Sequence, residues 1–348
     1  MSVKYVPVQW NPFKYKYVAV LAAMVLVYLY LFLTVTPDIL GYTPAINAQV
    51  HNARAFGSCA FFMMTAILMI GPLARLDRRF LPLLYNRRHF GVLTVFVAIT
   101  HAGYIIDWYF AFSRSDKYEA LLFSNISYGQ VLGFPFEIFG VFALFCLAVL
   151  AATSHDFWLS FLTPRIWKAL HYLIYPAYLS VVAHITLGVG QDFQNMTFPY
   201  IAWALALVVA GLHVAAWRRD ASADPVAGSG AWESVCDVTE ISEGFAKIAR
   251  LSSGERVAVF RHEGRLSAIS NHCAHQNGPL GEGRIIDGCV TCPWHGFQYR
   301  VTDGRSPAPF TEKVPTYRVR LSGRAVEVDP AANPPGTPVD PVAIPEGL

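Results

Sequence analysis

Cys273-Ala274-His275 and, further on, Cys292-Pro293-Trp294-His295-Gly296 decide how the last third of this chain is read. Each loop offers one thiolate and one imidazole. Two Cys and two His fit a [2Fe–2S] centre, with the thiolates on one iron and the imidazoles on the other. The same donors fit a structural zinc. The Cys-x-His spacing is one residue tighter than the Cys-x2–4-Cys opening of a zinc finger, which favours the iron–sulfur reading. Short alternating runs surround the loops. Val257 to Arg261 and Leu266 to Ser270 flank Glu263-Gly264, a hairpin signal. Arg284 to Thr291 and Phe297 to Val301 bracket the second loop, and Tyr317 to Leu321 and Ala325 to Val328 follow. Residues 231–330 therefore read as a small all-β domain.

The segment Cys292-Pro293-Trp294-His295-Gly296, with Cys273-Ala274-His275 before it, resembles the cluster loops of Rieske-type ferredoxins, and the surrounding pattern resembles that family from end to end. The resemblance implies that Cys273, His275, Cys292 and His295 ligate a [2Fe–2S] cluster. The Rieske subunits of respiratory bc complexes add two cysteines that form a disulfide across these loops. Here Gly278, or a near neighbour, and Trp294 stand in their places, and Cys289 has no matching partner. Phe297 stands where those proteins carry Ser, while Tyr299 is retained. Fewer hydrogen bonds to sulfur lower the potential, so the expected value is nearer ~−150 mV than +300 mV. Asn271 and His272 read as structural.

The first two-thirds is a different object. A mean hydropathy of +0.37 and 54% hydrophobic residues are too apolar for a soluble chain of 348 residues. Six stretches have the ~20-residue length that a bilayer requires: Tyr17–Val35, Ala55–Ala74, Gly91–Phe112, Val131–Ala152, Leu170–Val189 and Tyr200–Trp217. The first lacks a small-residue cleavage site and is read as retained. The expected architecture is multi-domain: a six-helix transmembrane bundle over residues 1–220, a flexible linker over 221–230, the all-β domain over 231–330 and a disordered tail over 331–348. No fixed-period repeat is evident.

Basic residues gather on alternate connections. Lys4, Lys14 and Lys16 precede the first span, Arg75, Arg78, Arg79, Arg87 and Arg88 join the second to the third, Arg165 and Lys168 precede the fifth, and Arg218 and Arg219 follow the sixth. The opposite side carries Arg54, Arg114 and Lys117. The positive-inside rule then places both termini and the Rieske domain in the cytoplasm, with a bacterial inner membrane as the expected location.

Histidine within a span is costly and usually functional. At 1.5 Å per residue, His101 lies ~20 Å and His184 ~24 Å from the cytoplasmic entry of their helices, at matched depth; His171 lies only ~5 Å in, near His89. His101 and His184 suit the two axial positions of one haem, and His171 with His89 a second haem nearer the cytoplasm, although His89, at the boundary beside arginines, suits a solvated interfacial residue equally well. Arg88-His89-Phe90-Gly91 through His101, and Trp167 to His171 through His184, resemble the ferric-reductase-like transmembrane family, which includes the haem subunit of a methionine sulfoxide reductase system. That resemblance covers about residues 10–217 and implies haem b. His89 and His101 stand two residues closer than the pair in two-haem members, and Arg87 holds the other place. His213 reads as packing, His51 and His155 as loop residues without a role, and Cys59 and Cys146 as apolar packing. Cys236 has no assigned role. Tyr15, Tyr17, Trp108, Tyr109, Trp203 and Trp217 suit interface belts. Asp107 and Glu137, at the outer helix ends, suit either guidance of protons or metal to an external site or snorkelling at the interface.

No Gly-x-Gly-x-x-Gly occurs at a strand–helix join, so no nicotinamide or flavin domain is expected. No nucleic-acid partner is expected either. The expected function is membrane electron transfer. A cytoplasmic reductase or ferredoxin would reduce the low-potential cluster through exposed His275 and His295, and electrons would pass by haem b to an outer-face metal chelate, quinone or protein. The rival readings are a non-catalytic redox sensor or assembly subunit, and a haem-free membrane-anchored Rieske ferredoxin.

Overall fold

A computed structural model describes residues 12–347 except 41–47, 81–82, 84–86, 113–115, 124, 155–157, 159–163, 192–195, 224–230, 276–277, 294–295, 309 and 346. His295, Trp294, His155 and most of the expected linker thus lie outside the described residues. The chain divides into a helical unit, covering 10–73 and 86–214, and a second unit containing 215–348.

The helices are α1 (Pro12–Leu40), α2 (Ala48–Leu76), α3 (Arg87–Phe112), α4 (Lys117–Phe123), α5 (Glu137–Ala152), α6 (Pro164–His171), α7 (Ile174–Val189) and α8 (Thr197–Ala223). Among the described residues, five stretches are long and apolar enough to cross a membrane: Tyr15–Pro37, Ala48–Leu76, Arg87–Ala111, Ala169–Val189 and Thr197–Arg219. The expected fourth span is shorter. Gly133 at φ 75° and Pro135, which disfavours helix at Phe134, delay α5 until Glu137. Its 16 residues reach ~24 Å, short of a ~30 Å hydrocarbon core. The fifth span is broken between α6 and α7, because Pro176 lacks an N–H and its ring conflicts with the carbonyl of Tyr172. His171 therefore ends α6 while His184 lies within α7.

Large apolar side chains such as Met24, Leu26, Phe96, Phe110, Leu179 and Leu207 face outward on their helices, as lipid-facing surfaces require. Inside, Phe61 stacks on Tyr178 with centroids 5.7 Å apart, and the Tyr178 hydroxyl meets Thr65 Oγ1 at 2.9 Å. This hydroxyl pair is thus satisfied where water is absent. Cys59 and Cys146 are buried in this packing. His51 corrects its expected loop position: it lies in the first turn of α2 and is buried.

The second unit is all-β beyond its share of helix. β1 (Glu233–Asp237) pairs with β10 (Ala325–Val328), which pairs with β9 (Val319–Ser322). β2 (Ala246–Arg250), β3 (Arg256–His262) and β4 (Arg265–Ser270) form an antiparallel meander, with β8 (Thr316–Tyr317) also on β4. β5 (Arg284–Ile286), β6 (Cys289–Thr291) and β7 (Gln298–Arg300) form a small separate sheet. The Glu263-Gly264 hairpin forms with both residues at positive φ, 51° and 67°, the backbone of a type I′ turn.

The segment from Ala331, expected to be disordered, is ordered. β11 (Val342–Ala343) pairs antiparallel with Leu266 and Arg265 of β4. The Asn333 and Val339 amides donate to the carbonyls of Thr316 and Thr302. Its proline-rich composition limits helix and core formation, but an extended strand that takes its bonds from an existing sheet edge needs neither.

Candidate metal centres

The first Rieske-type loop leaves β4 and is pinned before it reaches its ligands. Asn271 Oδ1 accepts the Gly281 amide at 2.8 Å, and the Asn271 carbonyl accepts the Leu280 amide at 2.8 Å. Asn271 is therefore structural. Cys273 N–H donates to the Gly278 carbonyl at 2.9 Å, closing the loop. The second loop joins β6 to β7 and closes likewise: Cys292 N–H donates to Phe297 O and Gly296 N–H to Cys292 O, both at 2.8 Å.

Cys273 and Cys292 are both 1% exposed, in a core with Leu280, Val290 and Tyr299. The hydroxyl of Tyr299 lies 3.3 Å from Cys273 Sγ. Burial pushes this hydroxyl well above the usual tyrosine range, and the thiols of Cys273 and Cys292 add to the shift. It stays protonated and can donate to sulfur. His275 departs from the expected exposure. It is 8% exposed and stacks on Phe297, centroids 4.7 Å apart and planes 9° from parallel. Phe310 packs edge-on behind Phe297 at 4.9 Å, a cover that the sequence reading missed. Among the described residues no three His, Cys, Asp or Glu side chains form a ready metal cage. The donor set nevertheless fits the cluster: two thiols buried with a hydroxyl donor, and an aromatic-backed imidazole beside them.

The helical unit brings His101 and His184 together. Their ring centroids are 6.2 Å apart with planes at 85°. Two imidazoles bound in line to one metal by bonds of about 2 Å each have centroids ~6 Å apart. His101 Nδ1 donates to the Ala53 carbonyl at 2.7 Å, and His184 Nδ1 to the Phe136 carbonyl at 3.0 Å. A carbonyl can only accept, so the proton sits on Nδ1 and the lone pair on Nε2. That is how a metal-ligating imidazole is oriented. The two carbonyls were beyond sequence reading, since every residue has one.

His171 shows the same tautomer. Nδ1 donates to the Trp167 carbonyl at 2.9 Å, the ring stacks on Trp167 at 3.6 Å, and Nε2 is buried with no hydrogen-bond partner. Its environment suits a ligand. His89 lies half-buried in the first turn of α3. His213 is satisfied, through Nδ1 to the Val209 carbonyl at 2.9 Å and Nε2 to the Tyr175 hydroxyl at 3.2 Å. Glu137 and Asp107 part company: Glu137 is buried and accepts from Tyr109 Oη at 2.7 Å and from the Asn125 amide, whereas Asp107 is exposed.

Fold and site together define a membrane redox protein that joins apolar helices to an iron–sulfur β domain. The chain belongs to the Rieske [2Fe–2S] proteins through residues 231–318, and residues 56–182 match the ferric reductase like transmembrane component. It is 34% identical over 99 residues to the anthranilate 1,2-dioxygenase ferredoxin subunit of Burkholderia cepacia, covering 28% of this chain and 91% of that protein. It is 37% identical over 67 residues to a cholesterol 7-desaturase of Xenopus laevis, which covers 18% of this chain and 15% of that protein. Among solved structures it is similar to the ferredoxin of carbazole 1,9a-dioxygenase from Nocardioides aromaticivorans, at 25% identity and a TM-score of 0.28 over 29% of this chain and all of that one.

Proposed function

We propose that this chain is a membrane electron-transfer oxidoreductase. Single electrons pass between a cytoplasmic Rieske [2Fe–2S] cluster and transmembrane b-type haem, toward an acceptor at the outer face of a bacterial inner membrane. When bound, the cluster and the haem each supply a reversible one-electron couple. The protein supplies the ligands and their surroundings. Cys273, Cys292, His275 and His295 hold the cluster, and Tyr299 directs a hydroxyl at its sulfur side. His101 and His184 hold the haem, with Nε2 presented because Nδ1 is committed to the backbone. His171, with Nδ1 committed to the Trp167 carbonyl, is the candidate ligand for a second haem, with His89 its candidate partner. The donor is a cytoplasmic reductase or ferredoxin, and His275, 8% exposed and stacked on Phe297, is not an open contact point for it. The acceptor is a metal chelate, a quinone or a protein.

The observation that carries this reading is the 6.2 Å approach of His101 to His184 within a chain that also bears a Rieske domain. The experiment uses anaerobic membranes containing the full chain. Reduced ferredoxin is supplied, the cluster and b-type absorbance are followed, and ferric chelate or quinone is then added. Reduction of both centres followed by reoxidation supports the reading. Reduced centres that persist against a broad acceptor panel make the protein a sensor or assembly subunit. Absence of a b-type alkaline pyridine spectrum leaves a membrane-anchored ferredoxin.

A further inference from the structure

The two imidazoles of the helical unit are cradled in the same way by two different helices. The carbonyl of Ala53 on α2 accepts Nδ1 of His101, and the carbonyl of Phe136 at the start of α5 accepts Nδ1 of His184. In both cases acceptor and histidine are 48 residues apart in the chain. One helical turn beyond each carbonyl stands a glycine. A Cβ on Gly57 would lie 2.8 Å from His101 Nδ1 and 2.9 Å from its Cε1, and a Cβ on Gly140 would lie 3.0 Å from both Cε1 and Nδ1 of His184. Each imidazole therefore occupies the space that any other residue's side chain would need. By contrast, a Cβ on Gly103 or Gly211, also within helices, would meet nothing within 4 Å.

The local sequence repeats as well. Phe56-Gly57-Ser58-Cys59-Ala60-Phe61-Phe62 and Phe139-Gly140-Val141-Phe142-Ala143-Leu144-Phe145 share Phe-Gly-x-x-Ala-x-Phe. Ala60 and Ala143, on the next turn, are both buried. Glycine inside a helix is unfavourable relative to alanine, so two glycines in one motif, each beneath one imidazole, need a reason beyond helix formation.

We propose that Gly57 and Gly140 are paired positioning residues of a single haem centre. In this arrangement α2 with α3, and α5 with α7, supply two equivalent half-sites, each made of a carbonyl, a glycine one turn later and a histidine. The carbonyl sets the tautomer. The glycine admits the ring edge to the helix backbone and fixes its rotation, so that Nε2 is presented to the metal. The inference rests on the haem reading above, and concerns which residues aim its ligands.

The test uses the full chain in detergent, with the [2Fe–2S] signal as an internal standard for folded protein. Gly57→Ala and Gly140→Ala are each expected to lower haem per cluster about tenfold or more, as losing an outer partner of a ligand does, and to weaken the low-spin ferric EPR signal. Gly103→Ala and Gly211→Ala should leave both unchanged. A second measurement needs no haem. Gly57→Ala should lower the thermal midpoint when His101 is present and leave it unchanged or raised in a His101→Ala background. Haem content and spin state unchanged in both glycine variants overturns this inference and leaves the haem reading intact. An equal loss of thermal midpoint in both backgrounds also overturns it, because Gly57 then serves helix packing. A wild-type chain without a b-type spectrum overturns the haem reading and this inference with it.

Discussion

The Tyr299 hydroxyl stands 3.3 Å from Cys273 Sγ, with both groups sealed from water. Because burial keeps the hydroxyl protonated, it donates toward the sulfur and favours the reduced cluster, whose sulfur carries more negative charge. Tyr299→Phe removes that donor and little volume. A hydrogen bond worth about 1–1.4 kcal/mol corresponds to about 40–60 mV for one electron, at 59 mV per tenfold. The expected outcome is a cluster potential lower by that amount, with the EPR signal retained, in an optical or EPR redox titration of the two proteins. An unchanged potential would mean that Tyr299 fills space without tuning the cluster.

Cys292 is 1% exposed and closes its own loop through two backbone bonds at 2.8 Å. Cys292→Ser preserves size and those bonds while replacing a soft donor with a hard one. The variant should accumulate in the membrane at wild-type level and lack the reduced [2Fe–2S] signal near an average g of about 1.9 expected for mixed imidazole–thiolate ligation. Its b-type spectrum should persist, since the ligands for that group lie in the other unit. Loss of both spectra would show that the two centres do not assemble independently.

Much of this was legible because the chemistry resides in residue types and spacing. Cys273, His275, Cys292 and His295 announce a mixed thiolate–imidazole site, and Glu263-Gly264 announces the hairpin that forms. The pairing of His101 with His184 followed from depth along two helices, which a rise per residue supplies. What remained hidden depends on contacts between distant segments. Burial of His275 comes from Phe297 and Phe310, and no local pattern encodes that stack. His51 was misplaced because its polar neighbours resemble a loop, yet α2 begins before it. The tail was misread because composition describes what a segment can do alone, whereas β4 offers it an edge. The cradle carbonyls leave no sequence trace, although the glycines beside them do.

Removal of residues 331–348 tests the ordered tail. It would strip the Ile344 N–H bond to Gly264 O, the Asn333 N–H bond to Thr316 O and the Arg305 Nε bond to Gly336 O, and bare the β4 edge beside fully buried Leu266. With the Val339 N–H bond to Thr302 O, at least four bonds are lost, and at roughly 0.5–1.5 kcal/mol each they predict destabilisation of the β domain by at least about 2 kcal/mol. The check is denaturant unfolding of the full-length and shortened chains, monitored by loss of cluster absorbance. A midpoint that does not move would show that the strap adds nothing to stability.

Tyr317 fixes the alkaline limit of the same domain. It is 1% exposed, pairs with Ala268, and burial, with Glu255 adding repulsion, pushes its hydroxyl up to about 12 from the ordinary 10. Below pH 10 the group is neutral in folded and unfolded chains alike, and its contribution to stability is complete. Between pH 10 and about 12 the unfolded chain releases a proton that the folded chain keeps, so unfolding becomes steadily easier as pH rises. The expected outcome is a thermal midpoint of the β domain that falls across that window in the wild type and falls less in Tyr317→Phe, which has no proton to lose. Parallel decline in the two proteins would assign the alkaline transition to other groups, with Tyr299 the first to examine.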